Sequence, residues 1–411
     1  MSKLQELIQR LCPNGVEYKK LGEVIKIYTG EQFNKRDMMS SGQYPVINGG
    51  ISASGYIDKY NEDQDTITIS QGGASAGYVS WQESPFWAGA HCYVIKPLSN
   101  ETSNRFIYFF LKNSESSLQQ MQHGAGIPAL NRDKVRNLWF PVLPLEVQEE
   151  IVRILDRFDV YAAELQAELQ ARKEQYEYYR NLLLTFNPAG CAGEADDEQE
   201  GSVTTRGGHS YPIQWKTMGE VGTFIRGNGL QKKDFTESGV GCIHYGQIYT
   251  YYGTFTTETK SFVSPEMASK LLIVNPGNLV IACTSENVED VGKAVAWLGN
   301  NDIVTGGHSV VFRHNINPKY VAYFFQTQTF FAQKKRYAYG AKVIDIKTED
   351  LAKIVIPVPP LELQEKIVAI LDRFETLVND LSDGLPAEIA AVKEQYEYYR
   401  NRLLTFKEKT A

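Results

Sequence analysis

Two long segments of the chain carry apolar residues at alternating steps of four and three positions. This spacing is the heptad seam of a coiled-coil helix. Roughly 40 residues at about 1.5 Å each predict a rod about 60 Å long. Only Arg172 in the first seam is not apolar, and its aliphatic stem still suits a partly buried position. The first seam runs through Ile151, Leu155, Phe158, Ala162, Leu165, Leu169, Arg172, Tyr176, Tyr179, Leu183 and Phe186.

The second segment repeats the pattern with one irregularity. Two successive steps of four meet at Leu385, which is typical of a four-residue stutter. The Asp-Gly-Leu-Pro sequence at 383–386 lies at the same place, so we expect the helix to kink or restart there. Two matched seams in one chain pack most simply against each other in antiparallel order. The second seam runs through Ile367, Leu371, Phe374, Val378, Leu381, Leu385, Ile389, Val392, Tyr396, Tyr399, Leu403 and Phe406.

The two helical segments are the most similar parts of an internal repeat. Residues 144–158 recur with few changes at 360–374, and residues 173–181 recur unchanged at 393–401. The segments that precede the helices are related more faintly. We therefore predict an α+β fold, in which two mixed α/β heads are separated by two long antiparallel coiled-coil helices. The predicted domains are a first head at 1–143, a helix at 144–186, an acidic and flexible linker at 187–210, a second head at 211–359 and a helix at 360–406.

Both heads show the pattern of mixed domains with many short strands. Runs of β-branched and apolar residues predict strands, whereas longer apolar segments with aromatic residues predict helices. Polar, glycine-rich loops at 70–75 and 226–233 separate these elements. The predicted strands are 66–69, 91–95, 279–282 and 309–312, and the predicted helices are 106–112 and 320–327.

Composition and charge narrow the class of protein. With 411 residues, 43% of them hydrophobic, the chain suits a globular protein of more than one domain. Scattered cysteines without a Cys-x-x-Cys pair, and the lack of any apolar run of roughly 18 residues, predict a cytoplasmic protein. The net charge of −7 weighs against a nucleic-acid partner, but the excess acid lies in the helices and the linker, and both heads are mildly basic. A local basic face is all that phosphate binding requires.

Polar and basic residues in the loops of the heads are the candidates for contacts with DNA. Lysine and arginine bind phosphates, while glutamine and asparagine pair with base edges. For any single loop, a solvated charged turn is the competing interpretation. The candidates are Gln71, Ser75, Arg132, Lys134, Arg226, Asn228, Gln231, Lys232, Lys233, Lys334, Lys335, Arg336 and Tyr337.

The repeated Gln-Tyr-Glu-Tyr-Tyr-Arg motif places tyrosine and arginine away from the apolar seam of each helix. Such residues suit a protein-binding surface, and a second layer of intramolecular packing is the alternative. The candidates for partner contacts are Tyr178, Arg180, Tyr398 and Arg400.

The sequence contains no motif typical of a catalytic, metal-binding or nucleotide-binding site. His91 and His308 occupy matching positions in the two heads, which favours structural histidines over metal ligands. Metal-ligand spacing, catalytic dyads and nucleotide-binding glycine loops are not found. We therefore expect no catalytic residue, no metal and no cofactor bound by this chain.

The repeated segments resemble the conserved regions of the specificity subunits of type I restriction–modification systems. The resemblance rests on residues 144–158 and 173–186 and on their second copies within 360–406. It implies that each head is a target-recognition domain that reads one half of a split site in double-stranded DNA. It also implies that two methyltransferase subunits, which use S-adenosylmethionine, dock on the helices. Restriction and translocase subunits of such a complex use ATP and magnesium.

The chain lacks the Asn-Pro-Pro-Tyr motif of adenine methyltransferases and the P-loop of ATPases. Both observations fit a non-catalytic subunit. The resemblance further suggests that the number of Ala-Glu-Leu-Gln copies, present in tandem at 163–170, sets the spacing between the two half-sites. The alternative function is a structural coiled-coil scaffold with two protein-binding heads.

Overall fold

The computed structural model describes residues 3–122, 128–186, 201–204 and 210–409. The chain divides into two compact units, one formed by Met1–Ala167 with Ala387–Ala411 and the other by Glu168–Pro386. Each unit therefore combines one head with a part of each long helical segment. Among the described residues, no helix is both long enough and apolar enough to cross a membrane.

The first head is built from short strands with small helices beside them. Its helices are α1 (Lys3–Leu11), α2 (Asn104–Asn113), α3 (Glu115–Gln120) and α4 (Arg132–Arg136), and α5 (Leu145–Thr185) follows as the first long helix. Its strands are β1 (Glu17–Lys20), β2 (Ile25–Thr29), β3 (Tyr44–Ile47), β4 (Tyr56–Ile57), β5 (Thr66–Ser70), β6 (Val79–Gln82), β7 (Trp87–Ala88), β8 (Cys92–Pro97) and β9 (Trp139–Val142).

An antiparallel sheet in the order β2-β8-β5-β6 is the frame of this head. All residues of β5 are buried, because β-branched threonine and isoleucine suit a strand that is covered on both faces. Phe106 and Phe109 of α2 share the hydrophobic core of this head with Phe140 of β9. β3 lies between β4 and β7 in a second sheet, and β1 pairs with β9.

The second head contains more elements than the first. Its strands are β10 (Gly201–Thr204), β11 (Ser210–Thr217), β12 (Gly222–Arg226), β13 (Phe235–Thr236), β14 (Val240–Ile243), β15 (Phe255–Thr256), β16 (Ser261–Val263), β17 (Leu272–Val274), β18 (Leu279–Ala282), β19 (Thr284–Ser285), β20 (Ala294–Trp297), β21 (Ile303–Thr305), β22 (Ser309–His314), β23 (Ile344–Asp345) and β24 (Val355–Val358). Its helices are α6 (Met218–Val221), α7 (Tyr245–Thr250), α8 (Pro265–Ala268), α9 (Pro318–Phe324), α10 (Gln328–Lys334) and α11 (Thr348–Leu351), followed by α12 (Leu361–Asn379) and α13 (Leu385–Leu403).

The main sheet of the second head repeats that of the first. Its order β12-β22-β18-β20-β15 begins with four strands that correspond to β2-β8-β5-β6. The strands predicted from the sequence are confirmed as β5, β8, β18 and β22, and the predicted helices as α2 and α9, although α9 ends already at Phe324. The remaining sheets are β13-β16-β14-β21-β17, β10-β11-β24 and β19-β23.

The predicted linker at 187–210 lies largely outside the described residues. Its residues 201–204 form β10, which pairs with the start of β11. This part of the expected flexible linker is therefore a strand attached to the second head.

The long helical segments differ in one respect. α5 is continuous, whereas the second segment is interrupted between α12 and α13, which confirms the predicted restart. The carboxylate of Asp380 accepts hydrogen bonds from the backbone N–H groups of Ser382 and Asp383, at 2.7 and 3.3 Å, and such a local bond competes with helical hydrogen bonding. Leu381 lies in this interruption and is 83% exposed, so its assignment to the apolar seam is wrong.

In the first unit, a phenylalanine of α5 packs against the tyrosines of α13. The ring of Phe158 lies 5.9 Å from that of Tyr396 and 5.8 Å from that of Tyr399. Three residues further along α5, Tyr161 donates a hydrogen bond to Glu388, which lies earlier in α13. The two helices therefore run antiparallel, as predicted.

The second unit contains the equivalent contact with the roles of the segments exchanged. Phe374 of α12 lies 6.2 Å from Tyr176 and 5.6 Å from Tyr179 of α5. We call each group of one phenylalanine and two tyrosines an aromatic clasp. The clasps explain why the Tyr-x-x-Tyr spacing occurs on both segments, and the predicted fold class is confirmed.

A buried glutamine attaches the start of α5 to the first head. The side-chain amide of Gln148 donates hydrogen bonds to the carbonyls of Leu143 and Glu101, at 2.7 and 3.0 Å, and accepts one from the N–H of Ser103 at 2.8 Å. In the second unit, the amide of Gln364 donates to the carbonyl of Pro359 at 2.7 Å and accepts from the N–H of Asn317 at 2.9 Å. Both glutamines are almost completely buried.

We expect the aromatic clasps to contribute to the stability of their own units. Truncation of Phe158 or Phe374 to alanine should lower the free energy of unfolding by about 3 kcal/mol, because each removes a ring packed between two helices. Tyr178→Ala and Tyr398→Ala are the controls, since these exposed side chains should change stability by less than about 0.5 kcal/mol. Denaturant unfolding with amide hydrogen exchange measures the effect and locates it. Equal effects of the clasp and control variants would contradict the assignment.

Candidate nucleic-acid interface

Backbone hydrogen bonds bring three loops together at one end of the main sheet in each head. In the first head, the N–H of Gln71 after β5 bonds to the carbonyl of His91 before β8 at 3.0 Å, and the carbonyl of Gln71 accepts from Leu130 before α4 at 2.8 Å. In the second head, Cys283 after β18 makes the same pair of bonds, with His308 at 3.0 Å and Ile346 at 3.1 Å. The equivalent strand ends therefore carry equivalent loops.

In the first head, these loops gather three of the predicted candidates. Gln71 and Ser75 are half-buried in the loop after β5, where the Ser75 hydroxyl donates to the carbonyl of Gly49 at 2.9 Å. The Arg132 guanidinium lies 5.7 Å from the ring centroid of Tyr93, whose phenol pKa is raised by burial. Lys134 is exposed on α4.

In the second head, the same end of the sheet carries a polar network. The guanidinium of Arg226 binds both carboxylate oxygens of Asp345, at 3.2 and 2.7 Å. The Thr284 hydroxyl lies 3.0 Å from Nδ1 of His308 and 3.3 Å from Asp345. Arg226 is exposed, but its charge is balanced by Asp345, so a phosphate would have to compete with this carboxylate for it.

The two matching histidines lie on the surface rather than in a core. His91 and His308 are both exposed, and their backbone carbonyls make the equivalent bonds described above. His308 adopts a left-handed conformation with φ of 65°, and its ring is held by Thr284. In the part of the chain that the structure describes, no group of three His, Cys, Asp or Glu residues is placed to hold a metal ion.

An aromatic cluster that the sequence analysis did not identify borders this network. The ring of Tyr245 lies 4.5 Å from His244 and 5.1 Å from His308. Burial lowers the pKa of His244, and the charges of Lys232 and His308 add to the effect. The Tyr249 hydroxyl donates to the carbonyl of Thr284 at 2.7 Å. Aromatic rings beside hydrogen-bonding groups suit contacts with bases or sugars.

A basic turn follows the first strand of the main sheet in each head. In the second head, the predicted candidates Asn228, Gln231, Lys232 and Lys233 are all exposed on it. The equivalent turn of the first head lies 197 positions earlier in the sequence. Its residues Lys35 and Arg36 correspond to Lys232 and Lys233. The sequence analysis missed these two residues. The same shift relates Tyr18-Lys19 to Trp215-Lys216, so extending that alignment would have found them.

The last basic cluster of the second head is divided by the fold. Lys334 is buried, and its ammonium group donates hydrogen bonds to the carbonyls of Glu289 and Val291, at 2.8 and 2.5 Å. Burial lowers the pKa of Lys334 to about 8. This side chain faces the core, so its prediction as a DNA contact is wrong. Lys335 and Arg336 are exposed, and Tyr337 packs partly on the hydrophobic core.

The four candidates for partner contacts also divide into two kinds. Arg180 reaches the side chain of Gln326 at 3.1 Å, and Arg400 reaches that of Asn113 at 3.1 Å. Both arginines therefore attach a helix to the head of their own unit. This agrees with intramolecular packing, the alternative to a partner-binding surface. Tyr178 and Tyr398 are 64% and 57% exposed and stay candidates for a partner surface.

Comparison with known proteins identifies the family. The family model of the type I restriction modification DNA specificity domain matches residues 13–174 and 212–391. The chain belongs to this family. Each match contains one head and most of the long helical segment that follows it.

Some relatives in this specificity family match nearly the whole length of the chain. The specificity subunit of the type I restriction enzyme EcoR124I/EcoR124II from Escherichia coli is 28% identical over 422 residues, which cover 99% of this chain and 98% of that protein. The crystal structure of the S subunit of a type I restriction–modification system from M. genitalium is 17% identical, covers 95% of this chain and 96% of its own, and gives a TM-score of 0.56. A structure described as the basis of complex assembly and conformational transition of the type I system also gives 0.56 at 17% identity and covers 96% of this chain and 98% of its own.

The different environments of neighbouring lysines lead to a stability prediction. Lys334→Met should lower the free energy of unfolding by about 1–3 kcal/mol, because the carbonyls of Glu289 and Val291 lose their donor inside the protein. Lys335→Ala removes an adjacent but exposed ammonium group and should stay within about 0.5 kcal/mol of the parent. Urea unfolding of both variants makes the comparison. A Lys334→Met protein as stable as Lys335→Ala would show that the buried hydrogen bonds contribute nothing.

Proposed function

We propose that this chain is the non-catalytic, sequence-reading subunit of a type I restriction–modification complex, and that each head reads one half of a split DNA site. The observation that carries the proposal is the repeated frame with different loops. Both heads have the same four-stranded order and the same backbone bonds between three loops, yet Gln71 in one corresponds to Cys283 in the other. A shared frame with different side chains is what two readers of different sequences need.

Partner subunits supply the chemistry in this proposal. Modification subunits would dock on the helices, where Tyr178, Leu182 and Tyr398 are exposed, and exposed tyrosines are common in protein interfaces. Those subunits would bind S-adenosylmethionine and methylate adenine, and restriction subunits would use ATP and magnesium. The similar structure that is described in terms of complex assembly supports a role in such a complex.

Exchange of one head tests the proposal directly. We expect that replacing 211–359 with the second head of another family member changes one half of the methylated site and leaves the other half unchanged. The measurement is a map of methylated adenines in cells that express the chimaera with its modification subunits. A change in both halves would contradict independent reading. If the parent chain shows no salt-dependent binding to duplex DNA, the scaffold function is favoured instead.

The tandem Ala-Glu-Leu-Gln copies at 163–170 provide a second test. A third copy lengthens α5 by about 6 Å, against a rise of about 3.4 Å per base pair of duplex. Four residues also turn the helix slightly more than once, and each base pair turns the duplex by about 34–36°. We therefore expect the unspecified spacer to lengthen, by one base pair, with both half-sites unchanged.

The control for this insertion is Gln170→Ala, which changes an exposed side chain at constant helix length and should keep the spacer as it is. Both variants are read by the same map of methylated adenines. An insertion variant that folds and still methylates only the original spacing would rule out a role of these copies in setting the distance.

A further inference from the structure

The basic turns of the two heads share a sequence pattern. The first head has Gly-Glu-Gln-Phe-Asn-Lys-Arg-Asp at 30–37, and the second has Gly-Asn-Gly-Leu-Gln-Lys-Lys-Asp at 227–234. The two turns therefore share the same order of residue types: a glycine, a large apolar residue, an asparagine or glutamine, two basic residues and an aspartate. The residues around the turns have diverged much further, so the retained pattern indicates a common structural or functional requirement.

The glycine at the start of each turn is required by close packing. Gly30 and Gly227 each follow the edge strand of the main sheet, and their N–H groups bond to the carbonyls of Cys92 and Ser309 at 3.1 and 2.9 Å. A Cβ atom on Gly30 would collide with the carbonyl of Ala88. A Cβ atom on Gly227 would collide with the neighbouring backbone in the same way. Each turn therefore leaves the sheet beside the loop that carries His91 or His308.

The apolar residue of each turn holds it in place. Phe33 packs on the cluster of Val46, Ile57 and Trp87, and Leu230 is buried in the cluster that includes Cys242 and Val304. A short 3-10 helix follows in both cases, over Lys35–Asp37 and Lys232–Asp234. The backbone of each turn is thus held by packing on one side, and its lysine and arginine side chains lie on the other.

The four basic side chains of the turns remain available to a ligand. Lys35, Arg36, Lys232 and Lys233 are all exposed, and none of their side chains makes a hydrogen bond or ion pair with any residue that the structure describes. Lys353 and Lys366 differ from them, because they are also exposed but are bound to Asp350 and Glu362 at 2.8 and 2.6 Å. In the second turn, the carboxylate of Asp234 bonds back to the N–H of Gln231 at 2.7 Å.

We infer that the two basic turns are matched phosphate-binding sites, one in each head, which hold the DNA backbone regardless of its sequence. The inference rests on the proposed function and adds a division of labour to it. Base edges are read by loops that differ between the heads, whereas the turns keep the same charges in the same fold. Two neighbouring basic side chains on a rigid turn beside those loops would position the duplex before its nucleobases are read.

The test uses the full chain with two double variants, Lys35→Ala/Arg36→Ala and Lys232→Ala/Lys233→Ala. Each should weaken binding to the recognised duplex and to a random-sequence duplex by the same factor. The salt slope of log K should fall by about 0.9 for each phosphate that is no longer neutralised, or about 1.8 for each double variant. The methylated site should stay the same. Lys232→Arg/Lys233→Arg should retain the parent slope, because it keeps both charges.

The control variant is Lys353→Ala/Lys366→Ala, which removes the same number of charges from exposed but ion-paired positions and should leave the slope unchanged. If the turn variants also keep the parent slope while the parent binds DNA, the inference fails and the proposed function stands. A changed half-site preference would overturn it too, because the turns would then read bases. If the parent itself shows no salt-dependent binding, the proposed function fails together with the inference.

Discussion

The hydrogen bonds of one buried glutamine in each unit determine how a head is joined to its helix. Gln148 satisfies two carbonyls and one N–H that belong to the first head and to the turn before α5. An unsatisfied polar group in such a position costs about 1–3 kcal/mol, so a replacement that lacks either the amide N–H or the amide carbonyl leaves a partner without its bond. Gln364 is under the same constraint. The repeated start of each long helix is therefore explained by a junction rather than by a surface.

This junction separates the helices, whose sequences recur within the chain, from the heads, whose sequences have diverged from each other. The loops of the heads depend on backbone bonds, which any residue except proline can make at Gln71 or Cys283. The clasps and the glutamine junctions depend on particular side chains. Changes in the loops therefore leave the frame intact, and the near-identical helices beside divergent heads follow from this difference.

Periodic features could be predicted from the sequence, because a heptad seam or a buried strand is a property of a short segment. Two other features could not be predicted: side-chain hydrogen bonds that compete with helix formation, and burial that depends on tertiary packing. Leu381 continues the seam in the pattern, but the Asp380 side chain stops the helix before it. Lys334 looks like its neighbour Lys335 in the sequence, and only the packing of the second head shows that it points inward. Lys35 and Arg36 required a comparison of the two heads, since neither is conspicuous alone.

The tandem copies in the middle of α5 have a consequence for inheritance. The boundary between the compact units lies between Ala167 and Glu168, inside these copies, and Leu165 is the one residue of the stretch 163–170 that is buried. Neither glutamine junction and neither aromatic clasp involves this stretch. A repeated coding sequence gains or loses whole units when a replicating strand slips, and an in-frame unit here would leave the residues of the glutamine junctions and the aromatic clasps unchanged. Under the proposed role of these copies in setting the half-site spacing, a lineage would acquire a different target in a single copying error.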